Sequence, residues 1–251
     1  MEYLLVLLLG LVIGSFLNVC IFRIPREESI AFPGSHCMKC GYKLKWIDLI
    51  PVFSYIALHG KCRKCGDKIS IQYPIIEIAN GLIYIFIYYK YGLSLECLKC
   101  MILCSLMIVI GVIDFKTKFV YMQTTIFGVI SGIGFIVLDW IINKSFPIDN
   151  IAGGFLGFIF IWLIVVVTKG MGEGDIEISL VGGLFLGLKG TIFMLFSAVI
   201  LGGIVSGIIL LLKLKDRKAE IAFGPYLGIG AVISMFFGNE IINMYITKFM
   251  I

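Results

Sequence analysis

Two aspartates beside apolar stretches are the residues of this chain best suited to acid–base chemistry. Asp175 ends the glycine-rich stretch Gly170-Met171-Gly172-Glu173-Gly174-Asp175, and Asp114 follows the apolar run Gly111-Val112-Ile113. An ionised carboxylate at a membrane boundary is costly to desolvate, so such a residue is a functional-site candidate by default. Glycine lets another backbone approach closely. We therefore take Asp114 and Asp175 as candidate catalytic residues, with Gly172 and Gly174 as supporting residues.

A pair of neighbouring aspartates has a specific chemistry. Two carboxylates held close together do not both ionise easily, so one keeps a proton while the other acts as a base toward water. Such a pair hydrolyses a peptide bond without a metal or a covalent nucleophile, and it titrates as a unit. The alternative is structural, with Asp114 capping the helix that follows it and Asp175 capping its own helix. The glycine context of Asp175 and the matched position of Asp114 favour catalysis.

Four cysteines predict a metal site in a different part of the chain. They form two Cys-x2-Cys pairs, each followed by a glycine: Cys37, Cys40, Cys62 and Cys65. This spacing is typical of a tetrahedral zinc site with four thiolate ligands, which has no open position for water and is therefore structural. His36 and His59 are alternative ligands. The other four cysteines are interpreted as small buried apolar side chains, namely Cys20, Cys97, Cys100 and Cys104,.

The composition predicts a protein that crosses the membrane many times. Of the 251 residues, 60% are hydrophobic and 15% are charged, and the mean hydropathy is +1.04. Apolar runs near twenty residues are typical of membrane-spanning helices. We predict an all-α polytopic membrane protein with about eight transmembrane helices and a small cytoplasmic zinc-binding loop. The predicted spans are Tyr3–Phe22, Pro74–Tyr89, Leu95–Ile113, Phe119–Ile142, Asn150–Thr168, Ile176–Leu188, Thr191–Leu212 and Ile221–Ile246.

The basic residues predict the orientation. The loop between the first two spans is rich in lysine and arginine, and short basic loops stay in the cytoplasm. Alternating the spans from that loop places on the same side Lys116, Lys118, Lys169, Lys213, Lys215, Arg217 and Lys218. The N-terminus is then outside, and both aspartates face the cytoplasm. The net charge of +5 is explained by this topology and by anionic lipid, so no nucleic acid partner is expected.

These features together resemble the bacterial type IV prepilin peptidase family. The family's first-helix signature resembles Gly14-Ser15-Phe16-Leu17-Asn18-Val19, and its zinc loop resembles the segment from Pro33 to Glu77 with both cysteine pairs. Its two aspartate motifs correspond to Ile113-Asp114 and to Gly170 through Asp175, and a further stretch resembles Ala222-Phe223-Gly224-Pro225-Tyr226. The chain departs from the family pattern at Val120-Tyr121-Met122 and at Glu177.

The resemblance implies an activity and a set of partners. It implies a Gly-x-Gly-Asp membrane aspartic peptidase of the inner, or cytoplasmic, membrane. Such an enzyme cuts the short basic leader of type IV prepilins or pseudopilins after a glycine and then N-methylates the new N-terminal residue with S-adenosylmethionine. We accordingly divide the chain into a first transmembrane helix (1–22), a cytoplasmic four-cysteine zinc loop associated with methyl transfer (23–73), and the membrane peptidase helices (74–251).

The sequence limits where an S-adenosylmethionine site can lie. No glycine-rich nucleotide loop follows a strand, so any such site must be built from the zinc loop and helix ends. Glu77 is a candidate to orient the substrate amine, or else an ordinary carboxylate near a helix start.

Two alternative functions stay open. A peptidase without methyltransferase activity is the first alternative function. A transporter that uses Asp114 and Asp175 as ion ligands is the second.

Overall fold

The regular elements of the chain are all helices in the part that the computed structural model describes, which is residues 1–168, 170–212 and 222–249. Two isolated β-bridges lie in the cysteine loop. The α-helices are α1 (Glu2–Arg23), α2 (Phe53–Ala57), α3 (Gln72–Tyr91), α4 (Leu95–Thr117), α5 (Met122–Asn143), α6 (Ile148–Thr168), α7 (Glu173–Leu211), α8 (Gly224–Ile233) and α9 (Asn239–Phe249). A 3₁₀ turn (Ile24–Arg26) extends α1, and another (Trp46–Leu49) precedes α2.

Five helical segments are long and apolar enough to cross a membrane. They are Glu2–Arg26, Leu95–Thr117, Met122–Asn143, Ile148–Thr168 and Glu173–Ile209. The four segments of 21–25 residues match the thickness of a bilayer's hydrocarbon core, and Glu173–Ile209, with 37 residues, exceeds it,. The chain is therefore an all-helical polytopic membrane protein, as its composition predicts.

The chain divides into two compact units, Met1–Met101 and Ile102–Ile251. In the first unit α1 packs along α3 through small residues: a side chain on Gly10 would meet the backbone of Gly81, and one on Gly14 would meet the backbone of Glu77. Close packing through glycines is typical of membrane helix pairs. Asn80 lies in this contact and donates from Nδ2 to the carbonyl of Gly10 at 2.8 Å, so the pair is held by polar contacts as well.

In the second unit α6 packs along α7 through a row of glycines. Gly153 lies against Gly183 and Gly157 against Ser179, with no room for side chains between the two backbones. These glycines let the two helices approach closely, as is common in membrane helix pairs.

The predicted sixth and seventh spans form one element, α7, with a kink inside it. The kink lies at Gly187, whose φ of 71° is left-handed, a conformation that glycine adopts without steric cost. The predicted break between Leu188 and Thr191 therefore falls slightly too late in the chain. Thr191 donates its hydroxyl to the carbonyl of Gly187 at 2.7 Å and so satisfies a carbonyl beside the kink.

The predicted last span, Ile221–Ile246, is not one regular helix. A five-residue π-helical segment, Ser234–Gly238, separates α8 from α9, and Ser234 donates to the carbonyl of Gly190 at 2.6 Å. The fourth span begins at Met122 instead of Phe119, after Lys118 with its left-handed φ of 59°. Several residues of the orientation argument lie outside the described residues, namely Lys169, Lys213, Lys215, Arg217 and Lys218.

Candidate active site

Asp114 lies in the last turn of α4 and is buried, with 5% of its surface exposed. Its Oδ2 atom accepts a hydrogen bond from the backbone N–H of Gly224 at 2.9 Å. Gly224 is the first residue of α8, so the donor is one of the N–H groups that have no partner within their own helix. The carboxylate is thus held by the positive end of a helix dipole, where negative charge is favoured.

Asp175 lies in the first turn of α7 and is equally buried, at 5% exposure. Its Oδ2 atom accepts from the N–H of Gly172 at 3.2 Å, and its own N–H donates to the carbonyl of Gly172 at 3.1 Å. Asp175 is also close enough to Asp114 for the two charges to repel. The structure therefore brings together the two aspartates that the sequence singles out, although 61 positions separate them.

Gly224 lies at the junction of the elements that carry these aspartates. A Cβ atom on Gly224 would lie 2.6 Å from Oδ2 of Asp114 and 3.0 Å from Cδ1 of Ile178. Ile178 is one helical turn beyond Asp175. The sequence gives Gly224 only as part of a family-like stretch, and its contact with Asp114 links residues 110 positions apart.

Close packing at Gly174 accounts for one of the glycines that precede Asp175. A Cβ atom on Gly174 would lie 2.6 Å from Cβ of Val120, in the connection between α4 and α5. The corresponding position on Gly172 is 3.8 Å from Oδ2 of Asp175, an ordinary contact. Of the two glycines, Gly174 is thus the one that close packing requires.

Asp175 lies well inside the length of the neighbouring helix. The helices α6 and α7 run antiparallel, with Gly153 facing Gly183 and Gly157 facing Ser179. Each residue further along α6 therefore faces one residue earlier in α7, which places Asp175 level with Ile161. Ile161 is seven residues before the end of α6, which corresponds to about 10 Å along the helix axis. The carboxylate is therefore set back from the end of α6.

The nearby glutamates stand apart from the pair, and the capping alternative fails for Asp114 but holds in part for Asp175, whose Oδ2 accepts the N–H of the residue before α7,. Glu173 and Glu177 are both exposed, so their carboxylates do not share the buried environment of Asp175. The residue before α5 is Tyr121, and no side chain caps that helix. Asp114 does not cap the helix that follows it, contrary to the structural alternative, and its carboxylate contacts α8 instead.

The four cysteines come together in the first unit. Their Sγ atoms all lie within 4.8 Å of one another, and those of Cys37 and Cys65 are 3.8 Å apart. A tetrahedron with bonds of about 2.3 Å has sulfur–sulfur edges of roughly 3.8 Å, so the cluster has the size that a four-thiolate metal site requires. Hydrogen bonds from the N–H groups of Cys40 and Lys39 lower the pKa of the Cys37 thiol to about 6, whereas, against a hydrogen bond from the N–H of Asp67, burial and the neighbouring thiols raise that of Cys65, so Cys37 is the thiol that ionises first.

The two cysteine pairs are built in the same way. In the first, Cys37 donates its N–H to Tyr42 and accepts from Gly41; in the second, Cys62 donates to Asp67 and accepts from Gly66. Both glycines have left-handed φ values, 66° and 71°, which explains why a glycine follows each pair. His36 contacts the carbonyl of Gly34 through Nδ1 at 3.0 Å, and the cysteine cluster is complete without it.

Glu77 is buried in the first unit, where it contacts the cysteine loop. Its Oε2 atom accepts from the N–H of Val52 at 2.7 Å, and the hydroxyl of Ser15 is a second partner. Glu77 therefore ties the loop to the helix pair α1 and α3. Its proposed role toward a substrate amine stays a prediction.

Replacing Gly174 with alanine is expected to destabilise the second unit. The new methyl group overlaps Cβ of Val120, which a rotamer change cannot move, and overpacking of this kind costs about 1–3 kcal/mol. The better helix propensity of alanine offsets up to about 1 kcal/mol of that cost. Thermal unfolding in detergent measures the effect as a lower midpoint temperature.

Gly172→Ala is the matched control for this substitution, because it introduces the same group two residues away without an overlap. Its midpoint should stay within error of the unsubstituted chain. Equal midpoints for Gly174→Ala and Gly172→Ala would contradict the packing role assigned to Gly174.

Comparison with known proteins finds two family models on this chain. The Bacterial Peptidase A24 N-terminal domain matches residues 8–91, and the Type IV leader peptidase family matches residues 101–207. No solved structure matches the chain.

Three curated relatives carry the name prepilin leader peptidase/N-methyltransferase. The relative from Xanthomonas campestris pv. campestris is 30% identical, over 95% of this chain and 92% of its own length. The one from Bacillus subtilis is 30% identical, over 94% and 95%, and the one from Neisseria gonorrhoeae is 31% identical, over 92% and 89%. On this similarity over nearly its whole length, the chain belongs to the prepilin leader peptidase/N-methyltransferase family.

Proposed function

We propose that this chain removes the leader of type IV prepilins or pseudopilins by hydrolysis at Asp114 and Asp175, and then N-methylates the new N-terminus. Family membership supports the two activities. The observation that supports the residues is the burial of two carboxylates side by side, each held by a backbone N–H. A buried, repelling carboxylate pair is costly for stability, so it is expected where acid–base chemistry needs it.

The hydrolysis follows from the chemistry of such a pair. The ionised carboxylate takes a proton from water as the water oxygen bonds to the peptide carbonyl carbon, and the protonated carboxyl donates its proton to the carbonyl oxygen. As this tetrahedral intermediate collapses, the newly ionised carboxylate takes a proton from one of its hydroxyls, and the other carboxyl gives its proton to the leaving nitrogen. The C–N bond breaks, the carbonyl re-forms, and the pair returns to one proton shared by two carboxylates. Since Oδ2 of each aspartate accepts a backbone N–H, we assign the Oδ1 atoms to water and substrate.

The membrane arrangement supports a lipid-embedded site. We propose eight crossings: α1, α3, α4, α5, α6, the two limbs of α7 on either side of Gly187, and α8 with α9. The N-terminus then lies outside, and Asp114, Asp175 and the cysteine loop lie toward the cytoplasm, where a basic leader is retained. The relatives are named as peptidase/methyltransferases, which favours this function over the transporter alternative.

We propose structural zinc for the cysteine cluster. Cys37, Cys40, Cys62 and Cys65 would hold the ion, which would supply folding energy to a loop that has little apolar core of its own. S-adenosylmethionine is the methyl donor that the family name implies. We assign no residues to its binding, and the division into 1–22, 23–73 and 74–251 remains a prediction.

Asparagine in place of Asp114 or Asp175 is expected to abolish cleavage and leave the fold intact. Loss of one acid–base group lowers the rate by about 10²–10⁴-fold, and the amide keeps the size of the carboxyl. The assay incubates a detergent-solubilised prepilin with the chain, with and without S-adenosylmethionine, and reads the product by intact mass.

Glu173→Gln and Glu177→Gln are the controls for this assay, since both side chains are exposed on the same helix. Both should cleave at the unsubstituted rate and yield a product that carries one added methyl group when the donor is present. Full cleavage by Asp175→Asn would show that the pair is assigned wrongly. A product without the methyl group at saturating donor would favour a peptidase alone.

Gly224→Ala should lower the cleavage rate strongly, because its methyl group would displace the carboxylate of Asp114. Gly228→Ala lies one turn further along α8, where the added atom makes only an ordinary contact of 3.4 Å with the carbonyl of Met107. We expect a rate loss of roughly 10²-fold for the first substitution, as for misplacement of a catalytic group, and an unchanged rate for the second. Equal rates for the two variants would exclude the positioning role of Gly224.

Purified chain should contain one zinc ion per molecule by elemental analysis. Cys40→Ser and Cys65→Ser should lose it, because the site then lacks one of four thiolates, whereas Cys20→Ala should retain it because Cys20 lies outside the cluster. Limited proteolysis of the loop should rise in the two serine variants, since bound metal supplies the folding energy. Zinc retained in both serine variants would argue against the four-cysteine site.

A further inference from the structure

The segment from Trp46 to Ala57, here called the loop wedge, exposes apolar side chains and buries polar ones, the reverse of what is expected for a segment that faces water. Trp46 is 75% exposed, and Phe53 and Ile56 are each 64% exposed. They belong to the 3₁₀ turn and to α2, two short elements that pack on each other. Other exposed apolar residues of the wedge are Ile47, Leu49 and Ile50. Exposed apolar patches of this kind mark an interaction site.

The polar residues of the loop wedge point inward. The side chain of Asp48 is 2% exposed and accepts from Nε of Arg63 at 2.6 Å. Burial alone would raise the pKa of Asp48, but hydrogen bonds from Arg63 and from the N–H of Lys45 hold it below its usual value. Tyr55 also turns inward and donates to the carbonyl of Ile69. The protein thus satisfies the polar groups internally and leaves the apolar ones outside.

A hydrogen bond fixes the wedge at the level of a membrane-crossing helix. Val52, within the wedge, donates its N–H to Glu77 at 2.7 Å, and Glu77 is level with Gly14 of α1. Gly14 precedes the end of α1 at Arg23 by nine residues, or about 13 Å of helix. The wedge is therefore held alongside the apolar part of α1 and not beyond its end.

The loop that carries the apolar patch is rich in exposed basic side chains, two of them just before Trp46 in the chain. The exposed lysines of the loop are Lys43, Lys45, Lys61, Lys64 and Lys68. Tryptophan with lysine beside an apolar surface is the composition of segments that lie in the membrane interface. The same lysines repel a basic peptide, whereas lipid phosphates attract them.

We infer that the loop wedge, residues 46–57, is an interfacial element that binds anionic lipid. Its apolar face, with Trp46, Phe53 and Ile56, enters the boundary between headgroups and acyl chains, while the lysines contact lipid phosphates. This contact seats the cysteine loop on the membrane surface. The inference concerns the first unit alone and does not depend on the assignment of the catalytic aspartates.

Trp46 is a built-in probe, because the sequence contains only two other tryptophans, Trp140 and Trp162. The full chain with Trp140→Phe and Trp162→Phe is reconstituted in vesicles of phosphatidylcholine and phosphatidylglycerol, and retained prepilin cleavage shows that it is folded. Acyl-chain-brominated phosphatidylcholine should cause a roughly twofold loss of Trp46 emission, because the ring lies about 5–10 Å into the headgroup and acyl boundary. Aqueous acrylamide should quench it weakly.

The reference variant carries its single tryptophan at position 39, whose exposed lysine pairs with Asp67 and lies outside the wedge, through Trp46→Phe and Lys39→Trp in the same background. It should show the opposite pattern, with strong quenching by acrylamide and little by the brominated lipid. If Trp46 behaves like this reference, the wedge faces water and the inference fails. Protection of Trp46 from both quenchers would also overturn it, since protein, either this chain or a second copy, then covers the patch.

A second comparison tests the role of lipid charge. Vesicles of phosphatidylcholine alone should give weaker quenching of Trp46 by the brominated lipid than vesicles with phosphatidylglycerol. Lys43→Gln with Lys45→Gln should remove that difference, because surface lysines each favour an anionic membrane. Quenching that is the same in both lipids would refute binding to anionic lipid.

Discussion

The burial of two carboxylates among apolar helices is the constraint on which the second unit depends. Taking a carboxylate out of water costs several kcal/mol unless donors replace the lost hydration. Both donors come from the main chain at helix starts, Gly224 for Asp114 and Gly172 for Asp175. At Gly224 an added side chain would collide with the carboxylate of Asp114, so this donor needs a glycine. The convergence of helix starts on the two carboxylates follows from the need for backbone donors.

The grouping of the candidate residues could be predicted from the sequence, because their signals are local. Asp175 stands in a glycine motif, Asp114 ends an apolar run, and the cysteine pairs have the spacing of metal ligands. The structure groups the four sulfurs as that spacing predicts. Their identity as catalytic residues and zinc ligands stays a matter for experiment.

The contacts that hold those residues could not be predicted, since they link distant positions. The bond between Gly224 and Asp114 spans 110 residues, and the contact between Gly174 and Val120 depends on how two loops pack. The exposure of the apolar residues after Trp46 could not be predicted from the sequence either. A mostly apolar run does not show which of its side chains face outward, and here the polar side chain of Asp48 is the buried one.

The length of α7 explains why Asp175 lies below the end of its neighbour. Its 39 residues correspond to about 58 Å of helix, nearly twice the hydrocarbon thickness of a bilayer. The element therefore has to bend, and Gly187 lies against Asp149 at the start of α6. The first limb, Glu173 to Leu186, covers only about 21 Å, whereas α6, with 21 residues, covers about 31 Å. The free end at Glu173 is level with Leu163, five residues or about 8 Å short of the end of α6,, and Asp175 lies about 3 Å deeper. A glycine twelve residues from Asp175 thus sets the depth of that carboxylate.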